Sequence, residues 1–422
     1  MSRWIYYFLA FLFFVYPFSF YEIKLPVLGI IILFSILKIL RRNRLDFSNT
    51  ILALFTIYLL TSSFFIFYGL INGNAHKESL FYLLALYIFF PLIFLLVLNI
   101  IPKEIRLFYT IENIFIFSTI SIFLVMFFAV LNKKGLLNES LAFIIDPVLN
   151  VDIRTTKDVV KISYHGISSL VFLMPYLFSI FFLDFKKRKP YRTLLLALSL
   201  GLGSYAVFIS GRRALIIIFI FSIFCIICFK LIFSQRLRLK KKVITYILFV
   251  VLAGTPFLDF NKLVTSFSST ISFALNINNY SGSSKSDNQR VLQTNAFIKN
   301  IIKKPILGYG HGSYMKEVVR SKEKPWRYEI SYLDIIYHVG FLGFFLYAIG
   351  PIWIIISLCK IIKYNIKHRD RAFAFLIGFS SILITYASNP YLNAFDIQWV
   401  IYLPIFFIVT VNRNLKDSTN AN

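Results

Sequence analysis

The residues best suited to chemistry in this 422-residue chain fall within positions 261–343. This stretch opens with the longest polar interval of the sequence, which separates two hydrophobic segments. It contains Arg290, a glycine-rich run at 305–312, and Glu329 close to the start of the next hydrophobic segment. Arginine stabilises a leaving anion and a carboxylate accepts a proton, so this set favours group transfer from a phosphate-bearing donor.

Glu329 is the predicted catalytic residue, acting as the general base. Transfer of a sugar from a lipid diphosphate requires positive charge on the leaving diphosphate and a base for the acceptor hydroxyl. Arginines and one carboxylate supply both without a metal, so no metal site and no cofactor are predicted. The structural alternative is that Glu329 is only a negative charge at a helix N-terminus, a contribution of a few tenths of a kcal/mol.

Three arginines are candidates for binding the diphosphate. Arg290 stands in the first turn of a predicted helix that ends near Lys303, where the helix dipole favours an anion, although an ordinary surface arginine has the same signature. Arg212 and Arg213 stand in a short corner between two hydrophobic segments. Their guanidinium groups match phosphate oxygens, and the alternative is contact with lipid headgroups.

The run Gly308-Tyr309-Gly310-His311-Gly312 is predicted to turn close to the substrate. Glycines at alternate positions allow tight turns and close backbone approach. The run follows no strand and precedes no Lys-Ser/Thr pair, so it is neither a dinucleotide fingerprint nor a P-loop. Tyr309 can stack on a sugar ring. His311 can bind substrate or carry protons, while most lone loop histidines do neither.

The elements that must position these residues are hydrophobic helices. Hydrophobic residues make up 58% of the chain and recur in blocks near the roughly 20 residues that span a bilayer. The predicted fold is all-α, a polytopic membrane protein with about twelve transmembrane helices in one integral domain over residues 1–422. The predicted spans are 4–20, 25–40, 50–71, 80–101, 107–131, 167–184, 193–210, 214–233, 243–260, 333–359, 372–389 and 395–412.

The distribution of positive charge predicts the orientation of these spans. The net charge of +26 lies largely in alternate short links, which is typical of topology determinants and not of a nucleic-acid-binding surface. With twelve spans these links share the cytoplasmic side, both termini are cytoplasmic, and residues 261–332 form a large periplasmic loop. ATP and nucleotide sugars are cytoplasmic, so a site in this loop requires a donor carried by lipid. Glu112 and Asp396, near the ends of two spans, are either functional acids or solvated or paired ones.

Taken together, these motifs resemble the superfamily of bacterial O-antigen polymerases and O-antigen ligases. The resemblance covers residues 200–345 by motif and the whole chain by topology. It rests on Arg212-Arg213-Ala214, Arg290, Pro305 with Gly308 and Gly310, Glu329 with Leu333, and Gly340 with Gly343. Either of the two adjacent arginines fits the family's spacing.

The resemblance implies a metal-independent, inverting membrane glycosyltransferase of the GT-C-like kind in the bacterial inner membrane. Its donor and acceptor would be undecaprenyl-diphosphate-linked oligosaccharides, and a chain-length regulator protein would be a partner. Ligases typically carry a histidine eleven residues before the glycine that is Gly340 here, and this chain has Glu329 instead. The resemblance therefore favours an O-antigen polymerase over a ligase. A flippase is the alternative that is not an enzyme, and it predicts more charge within the spans.

Overall fold

We analysed a computed structural model of the chain. The structure describes residues 3–17, 19–42, 48–73, 75–100, 104, 106–133, 135–136, 152–156, 159–183, 189–210, 212–233, 285–319 and 324–419. The predicted span 243–260 and the first part of the predicted loop, 261–284, lie outside these residues. So does Gly211.

Long helices dominate the described residues. The α-helices are α1 (Arg3–Val15), α2 (Tyr21–Arg42), α3 (Asn49–Ile71), α4 (Ser79–Leu84), α5 (Phe90–Ile100), α6 (Arg106–Lys133), α7 (Ile167–Leu183), α8 (Pro190–Ser210), α9 (Arg213–Ile232), α10 (Lys285–Lys303), α11 (Ser331–Tyr364), α12 (Arg369–Tyr386) and α13 (Trp399–Thr419). A π-helical segment, Ala85–Phe89, joins α4 to α5, and two 3-10 turns, Tyr391–Asn393 and Phe395–Ile397, precede α13.

Local sequence explains where several helices begin. Ser48 caps α3, where its hydroxyl accepts a hydrogen bond from the Ile51 amide. Pro190 is the first residue of α8, a position at which a missing amide hydrogen costs nothing. Apart from 243–260, every predicted span overlaps a helix of the structure, or the α4–α5 unit, although some bounds differ by several residues.

Hydropathy identifies eight helices of the described chain as long and apolar enough to cross a membrane. They are Tyr21–Arg41, Asn49–Ile71, Ser79–Leu98, Leu107–Asn132, Pro190–Ser210, Ala214–Ile232, Ser331–Tyr364 and Phe395–Asn414, and the shorter α7 is also apolar. The chain is therefore a multi-pass helical membrane protein. The total of twelve spans stays a prediction.

A small β-hairpin is an exception within the helical architecture of the described residues, and the chain remains in the predicted all-α class. Strands β1 (Asp152–Thr156) and β2 (Val159–Ser163) pair in antiparallel register, with Asp152 opposite Ser163. The hairpin stands in the segment between α6 and α7, for which the sequence analysis gave no regular structure. A strand pair this short has no hydropathy signature comparable to that of a membrane helix.

Two buried ion-pair clusters fix opposite ends of the helix bundle. At one end, Glu112 accepts bonds from Arg192 at 2.6 Å and from Arg371 at 2.7 Å, which ties α6 to α8 and α12. At the other end, Lys24 of α2 meets Asp396 at 2.6 Å, before α13. Glu112 and Asp396 are therefore paired acids, as the structural alternative predicted. We call these ends the Glu112 end and the Lys24 end.

The hydrophobic core has two parts. The larger lies around α7, which is buried along most of its length and packs against α6, α8, α9 and α12. The smaller part joins α10 to the start of α11. It consists of Ala296, Phe297, Ile301, Met315, Tyr328 and Tyr337. Since α10 carries Arg290, this small core positions one of the candidate site residues.

Candidate functional site

A break in α11 positions the glycine-rich run. Gly340 has a φ of 63° inside this helix, a conformation that glycine tolerates and other residues rarely adopt. The break frees backbone groups that a continuous helix would pair, and the preceding loop pairs with them. The amide of Phe341 donates to the Pro305 carbonyl at 2.8 Å, and that of Leu342 donates to the Ile306 carbonyl at 3.2 Å.

Backbone hydrogen bonds between these two segments also run in the opposite direction, from the loop to the helix. The Tyr309 amide donates to the Tyr337 carbonyl at 3.0 Å, and the Gly310 amide donates to the His338 carbonyl at 2.7 Å. The glycine-rich run and the Gly340 break are therefore two halves of one structure. A Cβ on Gly340 would lie 2.0 Å from the Ile306 carbonyl oxygen, so this close fit requires glycine.

The same run is fixed to α3 on its other side. The backbones of Gly310 and Gly69 pack directly against each other. A Cβ on Gly310 would lie only 2.2 Å from the Gly69 Cα. The His311 amide donates to the Phe65 carbonyl at 2.9 Å, and the His76 amide donates to the Gly312 carbonyl at 2.9 Å. The glycines of this run thus serve close packing between helices in the structure. Contact of Gly308 or Gly310 with substrate stays a prediction.

His311 is buried between helices. Its ring stacks on Tyr87 of the π-helical segment at a centroid distance of 4.4 Å. Its Nε2 lies 2.9 Å from the Tyr347 hydroxyl, which donates to Ser62 of α3 at 3.0 Å. Burial, and then the nearby His338, hold the pKa of His311 well below its ordinary value. The contacts seen for His311 are with protein groups, and a role in binding substrate stays a prediction.

Arg290 and Glu329, which are 39 residues apart, form an ion pair. The Nε of Arg290 lies 2.6 Å from Oε2 of Glu329, and both side chains are partly exposed. The amide of Glu329 donates to Oε1 of the buried Gln293 at 3.3 Å. Tyr328, the residue before it, is buried in the small core. The structure thus brings together the predicted base and a predicted diphosphate ligand, and it holds both at the edge of a packed core.

Arg212 lies at the Lys24 end, just before α9. Its Nη1 is 3.3 Å from the Ser168 hydroxyl and 3.3 Å from the Tyr391 hydroxyl. Desolvation lowers the pKa of His165, and the nearby positive charge of Arg212 lowers this pKa further. Part of the His165 side chain is nevertheless exposed. Arg213 is the first residue of α9, and its side chain lies outside the described part of the structure.

Arg327 is a further charged residue of this region that the sequence analysis did not select. Its guanidinium carbon lies 4.4 Å from the centroid of the Tyr82 ring. The Tyr82 hydroxyl donates to the Asn393 carbonyl, and Asn393 belongs to the same 3-10 turn as Tyr391. No motif surrounds Arg327 in the sequence, and only the fold brings it next to this turn.

Next to these residues lies an apolar cavity of about 330 Å³. It is bounded by α3, α11, α12 and α13, and several tyrosines line it, among them Tyr58, Tyr87, Tyr332, Tyr347 and Tyr386. Such a cavity is large enough for part of an apolar chain. Within the described ranges, no group of three or more His, Cys, Asp or Glu side chains is arranged to hold a metal ion.

Comparison with known proteins bears on the identity of this region. A family model described as O-antigen ligase matches residues 194–348, which include every candidate site residue named above from Arg212 to Glu329. A search of curated proteins finds no match. The match covers less than half of the chain, and over residues 194–348 this chain is similar to the superfamily of O-antigen polymerases and ligases.

Proposed function

We propose that this protein is an O-antigen polymerase. It transfers the growing glycan from undecaprenyl diphosphate to the terminal sugar of a new lipid-linked repeat unit. The observation that carries the proposal is the ion pair between Arg290 and Glu329, because it joins an anion-binding group and a proton acceptor in one place. The apolar cavity that Tyr332 and Asn393 help to line supports a lipid-linked substrate.

In this mechanism Glu329 accepts the proton of the acceptor hydroxyl. The hydroxyl oxygen forms a bond to the anomeric carbon of the donor, and the bond from that carbon to the diphosphate oxygen breaks. The diphosphate leaves with the electron pair, and the configuration at the anomeric carbon is inverted. Arginine side chains stabilise the charge that develops on the diphosphate, in the role a metal ion plays in other transferases.

In this proposal, binding of the donor releases the Glu329 carboxylate from its ion pair with Arg290. Without substrate, Arg290 bonds to Oε2 of Glu329. A diphosphate carries more negative charge than a carboxylate, so it competes for the Arg290 guanidinium. Donor binding then frees Oε2 to accept the acceptor's proton, and the base becomes available only when a donor is in place.

Glutamate at position 329 favours a polymerase, because the resemblance associates ligases with histidine at this position. A ligase, which transfers glycan to lipid A-core, is the second candidate, and the description of the matching family favours it. A flippase is the third candidate. The described acids Glu112 and Asp396 are both held in ion pairs, which gives a flippase no specific support.

The reaction takes place at the periplasmic face of the inner membrane, according to this proposal, with both termini in the cytoplasm and residues 261–332 as the periplasmic loop. A chain-length regulator would be a partner protein. Membrane lipid surrounds the helices, and the donor reaches the site from the bilayer.

Deletion of the gene tests the proposal. Surface glycan and the lipid-linked pool are compared on one gel, with the gene restored on a plasmid as control. A single repeat unit on the final acceptor, without a ladder of longer chains, is expected for a polymerase. Long chains that stay on the lipid carrier would indicate a ligase, and repeat units held on the inner leaflet would indicate a flippase.

A further inference from the structure

Arg327 is held in an unusual environment for a cation. The residue is half-buried, and its Nε is a buried atom that has no hydrogen-bond partner. Its guanidinium lies against the face of Tyr82. A ring face attracts a cation, and the Tyr82 side chain also accepts a hydrogen bond from Arg327, so the donors that remain, among them Nε, can meet another group.

Three other buried or half-buried arginines of the described chain have a carboxylate partner. Glu112 neutralises Arg192 and Arg371, and Glu329 neutralises Arg290. Buried charges in membrane proteins are usually compensated in this way, because an isolated charge is costly to desolvate.

Arg212, Arg327 and Arg369 are half-buried and form no ion pair with any residue that the structure describes. Arg369, at the Glu112 end, donates to the Ile362 carbonyl at 2.8 Å, whereas Arg212 and Arg327 lie near the turn Tyr391–Asn393. The contacts of Arg212 are hydroxyl groups, and the contact of Arg327 is the Tyr82 side chain. Both environments hold a guanidinium in place and leave its charge available to an anion.

The two arginines border one structural feature, the 3-10 turn Tyr391–Asn393. Arg212 contacts the Tyr391 hydroxyl at one end of the turn, and the Tyr82 ring that holds Arg327 is bonded to Asn393 at the other end. Tyr386 also bonds to the turn, donating to Oδ1 of Asn393 at 2.6 Å. Two cations beside one turn suit a ligand with more than one anionic oxygen.

We propose that Arg327 binds a phosphate oxygen of the lipid-linked substrate, and that Arg212 binds the same diphosphate from the other side of the turn. The ligand class is a polyprenyl diphosphate. Tyr82 is a positioning residue, because its ring holds the Arg327 guanidinium and its hydroxyl connects that ring to the turn. The choice of ligand depends on the function proposed above, whereas the position of Arg327 does not.

Binding of farnesyl diphosphate tests this proposal. The full chain is placed in nanodiscs of phosphatidylcholine, and affinity is measured by titration calorimetry. Arg327→Gln is expected to weaken binding about tenfold or more, which is the loss of a charged hydrogen bond. Arg327→Lys, which keeps the charge and loses the forked geometry, should be intermediate. Tyr82→Leu should weaken binding in the same direction.

Lys324→Gln is the matched control, because it removes one positive charge from an exposed side chain of the same segment. Its affinity should stay within about twofold of the wild-type value. Size-exclusion profiles and melting temperatures establish that each variant is folded, and Arg327→Lys provides a second test if Arg327→Gln does not fold.

Wild-type affinity in folded Arg327→Gln would overturn the assignment of Arg327 and leave the proposed polymerase intact. A wild-type protein that does not bind the probe would remove the lipid diphosphate from the proposed function and this assignment with it. The proposal is also overturned by a third result, in which Arg327→Gln loses co-purified phosphatidylglycerol but keeps its affinity for farnesyl diphosphate. That result would mean that Arg327 binds a lipid headgroup.

Discussion

At the level of single residues, Arg290 and Glu329 form an ion pair at 2.6 Å, and each of them has two roles in the proposed function. Without substrate, each neutralises the other at the edge of the small core, where an isolated charge is costly. During the proposed reaction they separate, one to hold a diphosphate and the other to accept a proton. A variant that removes only the charge of Glu329 therefore distinguishes a catalytic role from a structural one.

Glu329→Gln is expected to lower the polymerisation rate by at least about a hundredfold, because the amide cannot accept the acceptor's proton. The protein should remain folded in the membrane, since glutamine still accepts a hydrogen bond from Arg290. The measurement is the ladder of glycan lengths in a deletion strain that expresses the variant. Glu317→Gln is the control, because Glu317 is an exposed acid of the same loop. Long chains in the Glu329→Gln strain would exclude Glu329 as the base.

His311 should make stability depend on pH. Burial and the neighbouring His338 lower its pKa, so the folded state holds the ring neutral while the unfolded state takes up a proton near pH 6.5. Unfolded chains then bind more protons than folded ones as pH falls, and stability decreases below about pH 6.5. The melting temperature of detergent-solubilised protein, measured between pH 7.5 and pH 5, should fall more steeply for the wild type than for His311→Gln. Equal slopes would contradict the prediction.

At the level of elements, the exchange of hydrogen bonds between the glycine-rich run and the broken helix α11 explains why both motifs contain glycine. Four backbone bonds connect residues 305–310 to residues 337–342. Each buried backbone group left unpaired would cost about 1–3 kcal/mol, so the break and the loop stabilise each other. The arrangement also places Glu329, which precedes α11, close to α10.

Gly340→Ala tests this arrangement. The alanine Cβ would meet the Ile306 carbonyl oxygen at 2.0 Å, and the residue would keep a φ of 63°. We expect destabilisation of at least about 2 kcal/mol, from backbone strain and from the disturbed hydrogen bonds. Gly350→Ala is the control within the same helix, since nothing lies within 4 Å of its Cβ position. It should leave stability unchanged or raise it by up to about 1 kcal/mol. Similar melting temperatures for the two variants would contradict this account.

Hydropathy predicted the helices of the described chain because a membrane span depends on a local property of the sequence, a run of about 20 apolar residues. The pairing of Arg290 with Glu329 and the position of Arg327 beside Tyr82 depend on contacts between distant segments, which a single sequence does not contain. The glycine spacing predicted a tight turn correctly. It did not reveal that Gly310 packs against Gly69, because that neighbour belongs to another helix.

At the level of the whole molecule, the ion pairs agree with the alternating direction of the helices. In an arrangement with the twelve predicted spans, Glu112, Arg192 and Arg371 fall at one side, and the structure brings them together. Lys24 and Asp396 fall at the other side and also meet. Opposite directions for neighbouring helices therefore have support from contacts as well as from charge.

Chemical labelling tests which end faces the periplasm. The three cysteines of the chain, Cys225, Cys228 and Cys359, are first replaced by serine, and the glycan ladder must persist. Single cysteines are then introduced at two exposed positions, Glu317→Cys in the loop and Lys367→Cys between α11 and α12. A membrane-impermeant maleimide should label position 317 in cells with a permeabilised outer membrane, and position 367 only after the inner membrane is lysed. The reverse pattern would place the ion pair of Arg290 and Glu329 in the cytoplasm, where a lipid-linked donor on the periplasmic leaflet could not reach it.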